Sequence, residues 1–177
     1  MSKRINLREF QQGVIDRLQA KDRADDQIST LGVQIAGQNW LIDMSDISEV
    51  LPLPQLTTVP LTKQWFLGMA NVRGNLYGVV DMAAYQQQGK AASPFATSGG
   101  SGRASRTAAS RVLLVAERHA FNAALLVDRV LGLRNAQAWE RSEVQGQTQY
   151  HDALGGIWGK LDVVGLLVQP DFLQIGA

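Results

Sequence analysis

The run GMANVRGNLYGVVDM, from Gly68 to Met82, holds the residues of this sequence that come nearest to chemistry by type and spacing. Gly68, Gly74 and Gly78 lie close together, with Arg73 among them. Two readings suit such a run: a glycine loop cradling a phosphate, or a tight turn joining two buried strands. A phosphate loop needs closely spaced glycines followed by Lys and Ser or Thr, opening a helix. Here the glycines are set among β-favouring residues and no lysine follows, so the turn is the better reading. GGSGR, at Gly99 to Arg103, fails the same test.

Other chemistry fares no better. There is no cysteine, and the two histidines are His119 and His151. A zinc site would need both histidines plus carboxylates. His119 falls at an expected hairpin turn and His151 in a polar interval, which suits ordinary surface histidines. No Gly-x-Ser-x-Gly elbow supports a serine hydrolase, and no pair of acids stands out as an acid/base couple. Asp81 sits just past a buried strand, where it suits a helix cap. The expectation is no catalytic constellation, no metal, no cofactor and no enzyme.

Composition bounds the rest. The chain has 177 residues, 45% hydrophobic and 19% charged, with a net charge of +1. That fits a folded globular protein, without the field that marks a nucleic-acid or membrane-surface binder. Absence of cysteine fits a reducing compartment. Met1 to Asp26 carries no apolar run like a signal peptide, and no segment approaches the ~20 apolar residues of a membrane span. A soluble cytoplasmic protein, with no direct membrane insertion, is expected.

The elements that position Arg73 can be read in outline. Leu7, Phe10, Val14 and Leu18 recur at three- and four-residue spacing, so residues 1–27 read as a helical arm with one apolar face. Asn6 suits its N-cap and Glu9 a capping-box partner. Two roles stay open for the arm: a helix laid on its own domain, or a partner-binding helix. From residue 28 onward the pattern turns to strands, with a hairpin expected near Gly37-Gln38-Asn39. Residues 89–110 are almost wholly small or polar, with Phe95 the sole large apolar side chain, and carry Lys90, Arg103 and Arg106 without an acid. Such composition cannot offset its ordering entropy, so a flexible linker is expected.

The two sides of that linker echo each other. VQIAGQNWLIDMSDISEVLPL and LLVAERHAFNAALLVDRVLGL each read as two strand runs followed by an acidic turn, Asp46 or Asp128, and a further strand. FLGMA…GVVDMAAY is answered by ALGGI…GLLVQPDF. Each half alone buries too little surface to be stable. The expected fold is therefore all-β with short helices: two small barrels packed around a shared core, about 28–88 and 111–177 within one unit spanning 28–177, plus the N-terminal helix.

WLIDMSDISEVLPL, VPLTKQWFLGMANVRGNLYGVVDM and FNAALLVDRVLGL resemble the CheW-like adaptor proteins of bacterial chemosensory systems. Gly68, Asn71, Arg73, Gly74 and Asp81 fit the family's glycine strand, Asn-apolar-Arg-Gly turn and acid-terminated strand. The resemblance covers roughly Ser29 to Leu173, and the N-terminal arm is similar to the PilI branch, of type IV pilus (twitching) systems. It implies two five-stranded β-barrels and a non-catalytic scaffold. Its implied partners are the regulatory domain of a CheA-type histidine kinase and the cytoplasmic tip of a methyl-accepting chemoreceptor, with recruitment to receptor arrays at the inner membrane. It also implies a partner-binding set of Met44, Ile47, Glu49, Val50, Asn71, Arg73 and Gly74, with core packing of the Met44-Ile47-Val50 turn and an internal salt bridge at Arg73 as the alternatives. Two departures stand out: the Gly/Ser-rich linker is long, and Gln169 stands where the second half should answer Asp81. The alternative is a small-barrel ligand- or nucleic-acid-binding protein, which would need exposed aromatic platforms in a basic groove; Trp40, Trp65, Tyr77, Trp139 and Trp158 are the candidates.

Overall fold

The structure, a computed structural model, describes residues 30–88, 108–144 and 147–177. The expected N-terminal arm and most of the expected linker lie outside the described residues. The end of that linker does not: Ser110 is buried, and Arg111 Nη1 donates to the carbonyls of Ala108 and Ser110, both at 2.8 Å. Ala108 to Ser110 therefore belong to the folded part.

Twelve strands and three short helices form among the described residues. The strands are β1 (Thr30–Ile35), β2 (Gln38–Asp43), β3 (Ile47–Pro52), β4 (Leu56–Thr57), β5 (Phe66–Val72), β6 (Asn75–Asp81), β7 (Arg111–Val115), β8 (Ala123–Val127), β9 (Arg129–Arg134), β10 (Glu140–Val144), β11 (Gln147–His151) and β12 (Ile157–Lys160). The helices are α1 (Met82–Gln88), α2 (Val163–Leu167) and α3 (Pro170–Leu173). The all-β class holds. The strands pair as two six-stranded sheets rather than two of five, in the orders β10-β11-β12-β2-β1-β9 and β3-β7-β8-β6-β5-β4.

Neither sheet is confined to one side of residues 89–110. The pairings β1–β9, β2–β12, β3–β7 and β6–β8 all cross it, so the halves exchange strands instead of forming one sheet apiece. Replacing β1–β6 by β7–β12 converts one sheet order into the other, which is the duplication heard in the sequence. The acidic turns take part in it. Ala116 N–H donates to the Asp46 carbonyl at 2.8 Å, and Asp128 N–H to the Gln34 carbonyl at 2.9 Å. Each aspartate thus opens an exchanged strand (β3 or β9) and ties it to the opposite half's first hairpin.

Alternation along the strands divides the core into three. One face of the second sheet gathers Tyr77, Val79, Val112, Leu114, Ala124 and Leu126. The other sends Leu113, Val115 and Leu125 towards Val33 and Ile35 of β1, forming the largest cluster between the sheets. Leu41, Tyr150 and Trp158 make a third cluster with the first sheet. Trp65 seals the central one, stacked on Phe172 at 5.9 Å and meeting Tyr85 edge-on at 5.2 Å.

The helices confirm one expectation and correct another. Asp81 caps α1, accepting from Ala84 N–H at 3.1 Å. Its counterpart is Asp162, not a residue near Gln169: Asp162 follows β12 and accepts from Gly165 N–H at 2.9 Å at the start of α2. The second half keeps the acid, seven positions ahead of Gln169, after a strand that ends at Lys160.

Candidate functional site

The β5–β6 hairpin places Arg73. A two-residue turn between twisted antiparallel strands favours positive φ at both positions, and Arg73 and Gly74 have φ of 53° and 90°. Gly74 fits without strain. Asn71, the last but one residue of β5, accepts from Gly74 N–H through Oδ1 at 2.9 Å and so holds the turn from within the strand. Ala36-Gly37 repeats the geometry between β1 and β2, with φ of 52° and 78°, one residue ahead of the expected position. The run quoted first is a turn.

Gly68 serves the same hairpin differently. Its φ is 127°, and a Cβ there would lie 2.2 Å from the Thr57 carbonyl oxygen. The strand register shifts between Phe66 and Gly68, so the glycine forms a bulge pressed against the short edge strand β4.

Arg73 is exposed at the turn and reaches across to β3. Its Nη2 donates to Glu49 Oε1 at 2.7 Å, with the two side chains 75% and 30% exposed. β3 lies at one edge of the sheet and β5 next to the other, so this contact requires the sheet to curl. An ion pair this exposed contributes only about 0.2–1 kcal/mol. Most of the guanidinium's donors are left facing outward.

The rest of the expected set divides. Met44, in the 3-10 turn Met44–Asp46, and Val50, on β3, are exposed apolar residues. Ile47 is not: it is 7% exposed and belongs to the central core. The register shift between Ile47 and Glu49 sets Ile47 opposite Val115 and Val50 opposite Leu113. Both partners are core residues, but only Ile47 lies deep enough to be covered. Ile47 therefore leaves the surface set. Leu76, 56% exposed on β6 just past the turn, joins it. Its apolar type among strand residues gave no sign that it would face outward.

Asp46 and His119 are further departures. Asp46 is buried and accepts from Arg118 Nη2 and from His119 Nε2, the latter at 3.0 Å. His119 is 13% exposed, so it is a structural partner rather than a surface histidine. Asp128 makes the equivalent reach, accepting from Gly37 N–H at 3.2 Å. His151 Nε2 meets Ser142 Oγ at 2.8 Å. Among the described residues no group of three or more metal-ligating side chains clusters.

The candidate aromatic residues are drawn into packing, with Trp40 half-buried against the central cluster. Trp65, Tyr77 and Trp158 are buried, and Trp139 packs on Trp158 at 5.3 Å. In that corner, Asp152 is held below the ordinary carboxyl range, chiefly by Trp158 Nε1–H at 2.8 Å, then by Gly156 N–H at 2.7 Å. Among the described residues, no helix is long and apolar enough to cross a membrane.

Protein PilI of Pseudomonas aeruginosa is 33% identical over 118 residues, which is 67% of this chain and 58% of PilI. The match thus spans a little over half the length of that relative. The crystal structure of the scaffolding protein TtCheW from Thermoanaerobacter tengcongensis superposes with a TM-score of 0.59. It covers 77% of this chain and 85% of that one at 17% identity, a likeness of fold. The family model for the CheW-like domain matches residues 29–168, and the chain belongs to that family.

Proposed function

We propose that this protein is a non-catalytic cytoplasmic scaffold coupling a methyl-accepting chemoreceptor to a CheA-type histidine kinase, in a system controlling type IV pilus twitching. The kinase is engaged through its regulatory domain and the receptor through its cytoplasmic tip. Membership of the CheW-like family, with relatedness to PilI, supports the class of function.

The observation that carries the site is Arg73. A non-glycine residue at positive φ costs roughly 1 kcal/mol, and the exposed Glu49 contact returns little of it. Asn or Gly would serve this turn better. A costly arginine with outward-facing donors, near exposed apolar residues, suits recognition of a partner's carboxylates or carbonyls. Met44, Glu49, Val50 and Leu76 complete the surface, while Asn71 and Gly74 shape the turn.

The test is affinity capture of purified receptor tip and kinase regulatory domain from the same genome. Both should be retained by the unaltered chain, and receptor or kinase should be held more weakly once Arg73 is replaced by alanine. Retention of neither partner would overturn the reading.

A further inference from the structure

The short helices carry an apolar face that neither sheet covers. Val164 is 48% exposed, Val168 68% and Leu173 50%, while Val163, Leu166 and Leu167 of α2 are buried. Val164 and Val168 are four residues apart, which sets them on one side of α2 as it runs into its C-cap. From 161 to 177 the charged residues are Asp162 and Asp171, with no lysine or arginine.

We infer that this face is the docking site for the chain's own N-terminal segment, residues 7–18. Three observations select that occupant. The first is where β1 begins. Thr30 pairs with Asp43, Asp43 Oδ2 is 3.0 Å from Lys160 Nζ, and Leu161 N–H donates to the Leu41 carbonyl at 2.9 Å. The preceding chain therefore leaves beside the foot of α2. The residues between Leu18 and Thr30 span roughly 36 Å when extended, far more than the length of α2.

The second is pattern. Leu7, Phe10, Val14 and Leu18 fall at helical spacing, giving one apolar stripe to set against the exposed valines and Leu173. The third is charge. Residues 1–18 carry Lys3, Arg4, Arg8 and Arg17 against Glu9 and Asp16, complementing the acid-only stretch from 161 to 177. A tether of this length also holds the segment at a high effective concentration, giving the contact in cis an advantage over a separate partner.

The apolar stripe of the arm is thereby committed within the molecule rather than offered to receptor or kinase. This docking does not depend on the role of Arg73.

The chain has no cysteine, so introduced pairs can be read without background. The full-length chain carrying Phe10→Cys and Val168→Cys is treated with a short bis-maleimide, alongside Phe10→Cys with Leu76→Cys. The expected result is an intrachain cross-link in the first pair, at least about tenfold above the second. In a separate measurement, amide exchange across residues 7–18 should be slowed in the unaltered chain. Val164→Glu combined with Val168→Glu should release that protection without lowering protection in β7 and β8. Cross-linked dimers in place of the intrachain product would assign the face to a second copy and overturn the proposal. Yields equal to the Leu76 control, or arm exchange unmoved by the glutamates, would overturn it as well.

Discussion

Arg73 separates folding from recognition at a single residue. Arg73→Ala should weaken capture of receptor or kinase at least tenfold, in line with the roughly 2 kcal/mol typical of a hot-spot arginine. Its melting should stay within about 0.5 kcal/mol of the parent. Arg73→Asn sharpens the test, because asparagine tolerates the left-handed turn; it should melt no lower than the parent and still bind poorly. Unchanged affinity in both variants, measured by calorimetry, would return Arg73 to a turn residue. Ile47 makes the opposite case. At 7% exposure in the central core, Ile47→Asp leaves a carboxylate without water, costing about 3 kcal/mol or more. For a chain of this size that is a melting shift of about 6–12 °C, and normal melting would put the residue back on the surface. The sequence showed Ile47 and Val50 at a shared spacing. It could not show the register shift of β3, which depends on β7, more than sixty residues away.

Among the elements, strands announced by alternating apolar residues were legible, and so was the Asn71-to-Gly74 hairpin. β10 and β11 were not. Their sequences, ERSEV and QTQYH, lack the apolar alternation that marks a half-buried strand, and backbone pairing carries them instead. The partner of Asp81 was misplaced for a related reason: β12 is only four residues long, so the acid arrives early. The aspartates that open β3 and β9 were visible as a repeat, but their purpose appears only once strands are exchanged. Asp46→Ala would leave Arg118 and His119 without their shared acceptor. Hydrogen bonds to a charged group are worth about 1.5–3 kcal/mol, so denaturant unfolding should fall by about 2 kcal/mol, with β3 exchanging its amides faster than β5. An unchanged midpoint would show the buried carboxylate to be dispensable. In the β11–β12 turn, Asp152 is held below its ordinary value by bonds to its charged form. A carboxyl lowered in the folded state contributes stability above its unfolded pKa, lost as pH falls through the folded one. Acid titration of unfolding below about pH 4 should therefore be shallower in Asp152→Asn than in the parent. Equal slopes would dissociate the turn from acid stability.

At the scale of the whole molecule, exchange of strands decides how the protein holds together. A duplication read along the chain suggests two units that fold first and then pack. The pairings do not allow it. β1 is flanked by β2 and β9, and β8 by β7 and β6, so each half must enter the other's sheet to satisfy its central strands. The unpaired N–H and C=O groups of a severed half would face water or aggregate edge to edge. Its share of the central core would be open as well, since that cluster draws on Val33 and Ile35 from one half and Leu113, Val115 and Leu125 from the other. Cutting between Gly99 and Gly100, inside the stretch with no core-forming side chain but Phe95, should therefore separate what is covalent from what is cooperative. Expressed alone, fragments 1–99 and 100–177 should lack the dispersed amide spectrum of a packed fold. Mixed after co-refolding, they should form a one-to-one complex that regains it and melts in a single transition. A fragment that folds alone with its native pairings would refute the exchange as the basis of stability, because four of the strand pairings that hold the sheets would then be unnecessary.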